Sequence, residues 1–217
     1  MEFKADLSTP GLRLPLTADP TLFKEAVRIG ERVLWLHTYG QRFYDEAAGR
    51  PKSAPRMSAT RAPKLTRPIA ATPDQMPDAL SHDPNVQELR LGTGVIANVT
   101  SRMFSYDISG VNVLAKWFGY RRKNRGRPKM GDRRVSALQR IQPDHWLPEY
   151  TSNLIDLLNV LGLLIDLEEK QLELLHAILR ATQIGVDSLT AGGVLPMPPD
   201  ARKPVRWSSP EDIGTLF

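Results

Sequence analysis

Ten basic side chains stand between Lys116 and Arg140: Lys116, Arg121, Arg122, Lys123, Arg125, Arg127, Lys129, Arg133, Arg134 and Arg140. Asp132 is the only acid among them. The chemistry such a cluster suits is contact with the phosphates of a nucleic acid, because each phosphate neutralised releases a condensed counterion. The whole chain has a formal net charge of only +5, so positive charge is gathered here and not spread evenly. The plainer reading of a charge run is a solvated face. One sign, high density and the adjoining Trp117, Phe118 and Tyr120, which can fix the helix that presents the run, favour nucleic acid. Within the run, Arg125-Gly126-Arg127-Pro128 has the form of an AT-hook core, in which two arginines lie along a narrow minor groove. General phosphate or groove contact by the same residues is the simpler expectation.

Other constellations carry less. Pro143-Asp144 followed by Glu168-Glu169-Lys170 has the formal pattern of a metal nuclease, two carboxylates and a lysine around a divalent ion. Glu168 and Lys170 fall at an expected helix start, where acids suit the helix dipole, and not on a strand beside Asp144. His37, His82, His145 and His176 have no metal-ligand spacing. Gly92-Thr93-Gly94 is hairpin chemistry, since no helix with Lys-Ser/Thr follows it. The chain has no cysteine, which excludes disulfides, thiolate metal sites and a cysteine nucleophile. The first residues hold no signal-peptide core, and no run reaches the roughly 18 apolar residues of a membrane span. A cytoplasmic protein is expected, and the pI near 9.6 agrees with a polyanionic partner.

The elements that must position these residues follow from local signals. Asp19-Pro20 starts a helix expected to run to Tyr39, with Phe23, Val27, Leu34 and the neighbouring Ala26, Val33 and Trp35 as its apolar face and Gly40 as its cap. Residues 46–77 are rich in proline and in the bases Arg50, Lys52, Arg56, Arg61, Lys64 and Arg67, and read as a solvated loop with a short strand near Lys64–Ala70. Strands are expected at Ala79–Asp83, Gln87–Leu91 and Val95–Thr100, joined by turn residues. A helix from Val111 to Arg122 would bury Val113, Leu114, Trp117 and Phe118 and aim the basic run. Thr151–Leu167 reads as a further helix, and Asp166 with Glu169 as the capping box of a second one ending near Ala181. The fold class is α+β: a small antiparallel sheet packed with several helices, and a helical C-terminal half. Residues 1–13 are a lead-in, 14–183 the domain, and 184–217 a Gly- and Pro-rich tail expected to be poorly packed.

Three blocks are similar to a known family: Leu16–Phe43, Tyr106–Asn124 and His145–Leu175. They resemble, in order, the C-terminal specificity domain of type ISP restriction–modification enzymes, and Trp117-Phe118-Gly119-Tyr120-Arg121 is the most specific part. Those enzymes join a nuclease, a translocating ATPase, an adenine methyltransferase and a target-recognition domain. The resemblance implies that this chain matches only the last. No Asn-Pro-Pro-aromatic motif, Walker lysine loop or glycine-rich cofactor turn is present. S-adenosylmethionine, ATP and magnesium are therefore expected only for family domains outside this chain, and no cofactor for the chain itself.

The expected function is recognition of double-stranded DNA on behalf of restriction or methylation, without catalytic residues. Lys116, Arg121, Arg122, Lys123, Arg125, Arg127, Lys129, Arg133 and Arg134 are the candidate contacts. Three rivals are a module whose leucine-rich helices dock on a separate methyltransferase or ATPase chain, a metal nuclease using Asp144, Glu168 and Lys170, and a folded remnant of a larger enzyme.

Overall fold

The computed structural model describes residues 14–123 and 143–196. Helix α1 spans Pro20–His37, with Asp19 as N-cap accepting from the Thr21 and Leu22 amides at 2.7 and 3.2 Å. Gly40 closes it: its N–H donates to the Trp35 carbonyl, its φ is +80°, and a Cβ there would stand 1.8 Å from the Ser53 carbonyl oxygen. The expected start at Pro20 holds and the helix ends at His37, two residues short of Tyr39; the expected apolar face holds only in part, through Val33 and Trp35. Phe23, Val27 and Leu34 are exposed, whereas Ile29, Trp35 and Leu36 are buried. The helix carries two apolar stripes, and packing against the long C-terminal helix selects the one through Ile29, Val33 and Leu36.

Residues 46–63 form an irregular and mostly exposed loop, as expected, but one tied down at Arg50, Pro51 and Met57. Arg50 is buried; its guanidinium donates to the Phe43 carbonyl and to Glu31. Trp35 Nε1 donates to the Pro51 carbonyl. Met57 is buried, and its amide donates to the carboxamide oxygen of the buried Asn159 at 2.9 Å. Proline and arginine content suggested solvent, but buried backbone groups find partners wherever the chain is tied down.

Strands β1 (Lys64–Arg67), β2 (Leu80–Asp83), β3 (Glu88–Leu91) and β4 (Gly94–Ala97) form one antiparallel sheet in the order β1-β4-β3-β2. A 3-10 turn at Pro73–Gln75 lies between β1 and β2. Leu89, Leu91 and Ile96 face inward and are fully buried. The strand expected to reach Thr100 ends at Ala97, because Thr100 caps the short helix α2 (Ser101–Phe104) with its hydroxyl on the Met103 amide. Two residues each at β5 (Asp107–Ile108) and β6 (Val111–Asn112) form a small ribbon. Helix α3 (Val113–Gly119) thus starts two residues later than expected, with Asn112 as N-cap on the Ala115 amide at 2.7 Å.

Helix α4 runs unbroken from Pro148 to Arg180 over 33 residues, where two helices were expected. Residues 167–175 are strong helix formers with no Gly or Pro to stop the chain. Asp166 does not turn back to cap a new helix; its carboxylate takes the Arg61 guanidinium at 2.8 and 2.9 Å. Leu154, Leu157, Leu158 and Leu161 join the sheet, α2 and α3 in the main core, while Val160, Leu164 and Leu167 pack on α1. By length and composition α4 could cross a membrane, but 50% of its most apolar stretch is buried inside this fold. After it comes α5 (Val186–Ala191). Residues 16–18 are anchored beside it, for Ala18 N–H donates to the Thr182 carbonyl and Ile184 N–H to that of Leu16. The architecture is α+β, a four-stranded antiparallel sheet with helices and a long C-terminal helix.

Candidate nucleic-acid interface

The start of the basic run is built on α3. Leu114 and Phe118 point into the core and are essentially inaccessible. Trp117, expected to be buried with them, is half-buried and packs at the core's margin. Its ring meets Trp146 edge-on at 6.4 Å between centroids, and Trp146 in turn meets Phe118 at 6.3 Å and Tyr150 at 5.4 Å. Trp146 is itself 1% exposed, with its indole N–H donating to Thr151 Oγ1 at 2.9 Å. Four aromatic rings from α3, α4 and the approach to α4 thereby form a rigid mount.

Arg121 sits on that mount. Its guanidinium carbon lies 4.1 Å from the Trp117 ring centre and 5.5 Å from that of Tyr150, and Nη1 donates to the Trp117 carbonyl at 2.9 Å. Burial pulls the guanidinium below its ordinary value, with Tyr150 and Tyr39 opposing. An arginine starts so far above neutrality that the charge is kept. Arg121 therefore spends much of its reach on the fold.

Its neighbours are placed differently. The amides of Arg121 and Arg122 both donate to the Phe118 carbonyl, which winds the chain off the helix. Arg122 lines a cleft of about 520 Å³ with Asp78, Leu80, Phe104, Asn112 and Phe118. Lys123 is exposed and pinned to the segment before β2: its amide donates to the Pro77 carbonyl at 2.9 Å and Nζ to that of Asp74 at 3.2 Å. The Asp74 carboxyl is held below its usual range, chiefly by the Thr72 hydroxyl and its own backbone amide, with Lys123 adding a smaller part. Lys116 is exposed, its Nζ 5.3 Å from the Tyr120 ring centre. Arg125, Arg127, Lys129, Arg133 and Arg134, and with them the Arg125–Pro128 stretch, lie outside the described residues.

The nuclease pattern is not assembled. Asp144 pairs with His145 at 2.8 Å, and the hydrogen bond from that ring holds the Asp144 carboxyl low. Glu168 forms an ion pair with Arg102 of α2. Among the described residues no group of three or more His, Asp or Glu side chains gathers as a metal cage.

The sequence reading passed over the open face of the sheet. Residues opposite one another in a ladder share a face, and Ser81, Arg90, Val95 and Arg67 stand in one row across all four strands. Lys64, opposite Ala97, lies on the same side. Arg90 is held by Glu88 at 3.1 Å and Asp83 at 3.7 Å. The alternation of charged and apolar residues in Glu88-Leu89-Arg90-Leu91 was the available signal.

The model of the type ISP C-terminal specificity domain matches residues 1–157. The chain belongs to this family. Membership implies DNA target recognition within a restriction–modification enzyme. No curated protein sequence and no solved structure matches the chain. In this type ISP specificity domain the matched span takes in α1, the sheet, α3 and the first part of α4, the elements that carry the aromatic mount.

Proposed function

We propose that this specificity domain binds double-stranded DNA through the basic segment that leaves α3, and that it does so for a restriction or adenine-methylation activity housed in another domain or chain. The observation that carries this is the Trp117–Trp146–Tyr150 mount with Arg121 stacked on it. Arg121, already held on this mount, gives up less freedom on binding phosphate than a free side chain would. Lys116, Arg122, Lys123, Arg125, Arg127, Lys129, Arg133 and Arg134 supply phosphate and groove contacts, with Arg121 as the root of the segment. The domain works in the cytoplasm, needs no cofactor of its own and does no chemistry on DNA.

A salt titration of duplex binding tests this. With six or so phosphate contacts, affinity falls on the order of a thousandfold between 50 and 200 mM salt. Replacing Lys123, Arg125, Arg127 and Lys129 by Ala should lower affinity for all duplexes alike and flatten the slope. A slope unchanged in that variant sends the binding site elsewhere.

A second reading concerns docking. Phe23, Val27 and Leu34 line one exposed side of α1. Leu172 and Leu175, at 55% and 42% exposure, continue the stripe of Leu154, Leu158 and Leu161 beyond the core. These apolar surfaces suit a methyltransferase or ATPase chain or domain as the second partner. A pull-down of such a chain by the wild-type protein, lost in Leu172→Asp/Leu175→Asp, is the corresponding test.

A further inference from the structure

The arginines of the segment that leads into the sheet are nearly all neutralised inside the protein. Arg50 meets Glu31, Arg56 meets Asp156 at 2.6 Å, Arg61 meets Asp166 at 2.8 Å, and Lys52 lies over the Tyr44 ring at 5.1 Å. The pattern changes at β1. Lys64 and Arg67 are exposed and make no ion pair among the described residues. Both stand on the sheet face turned away from the core, since Leu89, Leu91 and Ile96 cover the other face with the helices. Arg67 lines a cleft of about 350 Å³ with Thr66, Glu88, Arg90, Thr93, Val95 and the backbone of Gly92 and Gly94. Arg90 stands two strands away, roughly 10 Å from Arg67 at ordinary strand spacing.

This face adjoins Lys123, at the described start of the basic run. Lys123 is bonded to the carbonyls of Asp74 and Pro77. Asp74, Gln75 and Pro77 also wall a cleft whose other side is Ser81, Arg90, Gly92 and Thr93. One polyanion can therefore pass from Lys123 across the connecting segment to the sheet.

We propose that the open face of the sheet is a second DNA contact, with Lys64 and Arg67 on backbone phosphates and Arg90 turned to base edges in the groove. The inference rests on the reading of this chain as a DNA binder. The carboxylates on this face, Asp83 and Glu88, both take Nη2 of Arg90, so they orient it and leave its other donors for an acceptor pair such as that of guanine. The uncompensated charge lies on the β1 side, where the phosphates belong. Separating base reading from phosphate holding is what sequence-specific recognition requires.

The test uses the full chain and a pool of short duplexes with a randomised centre. Lys64→Ala/Arg67→Ala should melt as wild type does, bind every duplex more weakly, and lose about two phosphate contacts' worth of salt slope, so that the drop from 50 to 200 mM salt shrinks about tenfold. Arg90→Ala should keep the slope to within about one contact, and sequences it enriches from the pool should lose one position that wild type selects. A wild-type protein that binds no duplex overturns the DNA-binding reading itself. Wild-type binding with an unchanged slope in Lys64→Ala/Arg67→Ala overturns the phosphate role alone. Identical enrichment by wild type and Arg90→Ala, or no enrichment by wild type, overturns the base-reading role. Should Lys64→Ala/Arg67→Ala melt early, Lys64→Gln/Arg67→Gln, which keeps most of the aliphatic stems, is judged by the same slope.

Discussion

The guanidinium carbon of Arg121 lies over the indole of Trp117, 4.1 Å from the ring centre, and the guanidinium donates to that same residue's carbonyl. A cation four residues down the chain thus folds back over the last turn of α3. Trp117→Ala removes a half-buried aromatic and the seat of Arg121 together. It should cost about 2–3 kcal/mol, less than the roughly 3–5 of a fully buried ring. Arg121→Lys keeps the charge but loses the planar stack and should cost about 1 kcal/mol. Thermal melting and duplex affinity on one preparation separate the roles. If Trp117→Ala keeps its melting temperature and loses DNA, the indole touches DNA and is not the mount described here.

Asn159 is the polar anchor inside the core. Its carboxamide accepts the Met57 amide and donates to the Ile155 carbonyl at 2.8 Å. Asn159→Leu strands a buried N–H and should destabilise by about 1–3 kcal/mol. The consequence should be local as well as global: limited proteolysis should cut first within residues 51–63, released from α4. Equal cutting in wild type and variant would show that the segment is held by its ion pairs alone.

Arg50 ties the turn after α1 to the helix through the Phe43 carbonyl and Glu31. Its side chain is buried while Glu31 remains partly wet. Arg50→Ala should cost about 2–3 kcal/mol, as expected for loss of charged hydrogen bonds from a buried group. Glu31→Gln should cost less, because the carbonyl contact survives. Urea unfolding of both variants gives the comparison, and a more damaging Glu31→Gln would reverse the assignment.

The chain should not transfer methyl groups or nick DNA. Its sequence has no adenine-pocket motif or cofactor turn, and the carboxylates of the nuclease pattern are engaged with His145 and Arg102. Radiolabel from S-adenosylmethionine appearing in DNA, or magnesium-dependent nicking of supercoiled plasmid, would contradict this. Glu168→Ala should only loosen α2 from α4, by no more than about 1 kcal/mol for an exposed pair.

What the sequence determined by itself are the features whose cause is local. Asp19-Pro20 starts α1 and Gly40 ends it, since an N-cap and a left-handed closing residue act within one turn. Strands β2, β3 and β4 stand where alternation and turn residues put them. The basic run from Lys116 needs no structure to be noticed. Tertiary structure decided the rest because its causes lie far apart in the chain. Met57 and Asn159 are 102 residues apart, and Arg61 and Asp166 are 105. Those contacts turn an apparent loop into an anchored segment and leave α4 whole. The partner helix, not α1 itself, chooses which of two apolar stripes is buried. The aromatic rings under Arg121 come from Trp117 and, far along the chain, Tyr150. Which basic residues keep their charge for a partner is likewise a matter of three-dimensional neighbours: Arg56 and Arg61 reach carboxylates on α4, while Lys64 and Arg67, a few residues on, stand on the sheet face away from the core and pair with no acid among the described residues.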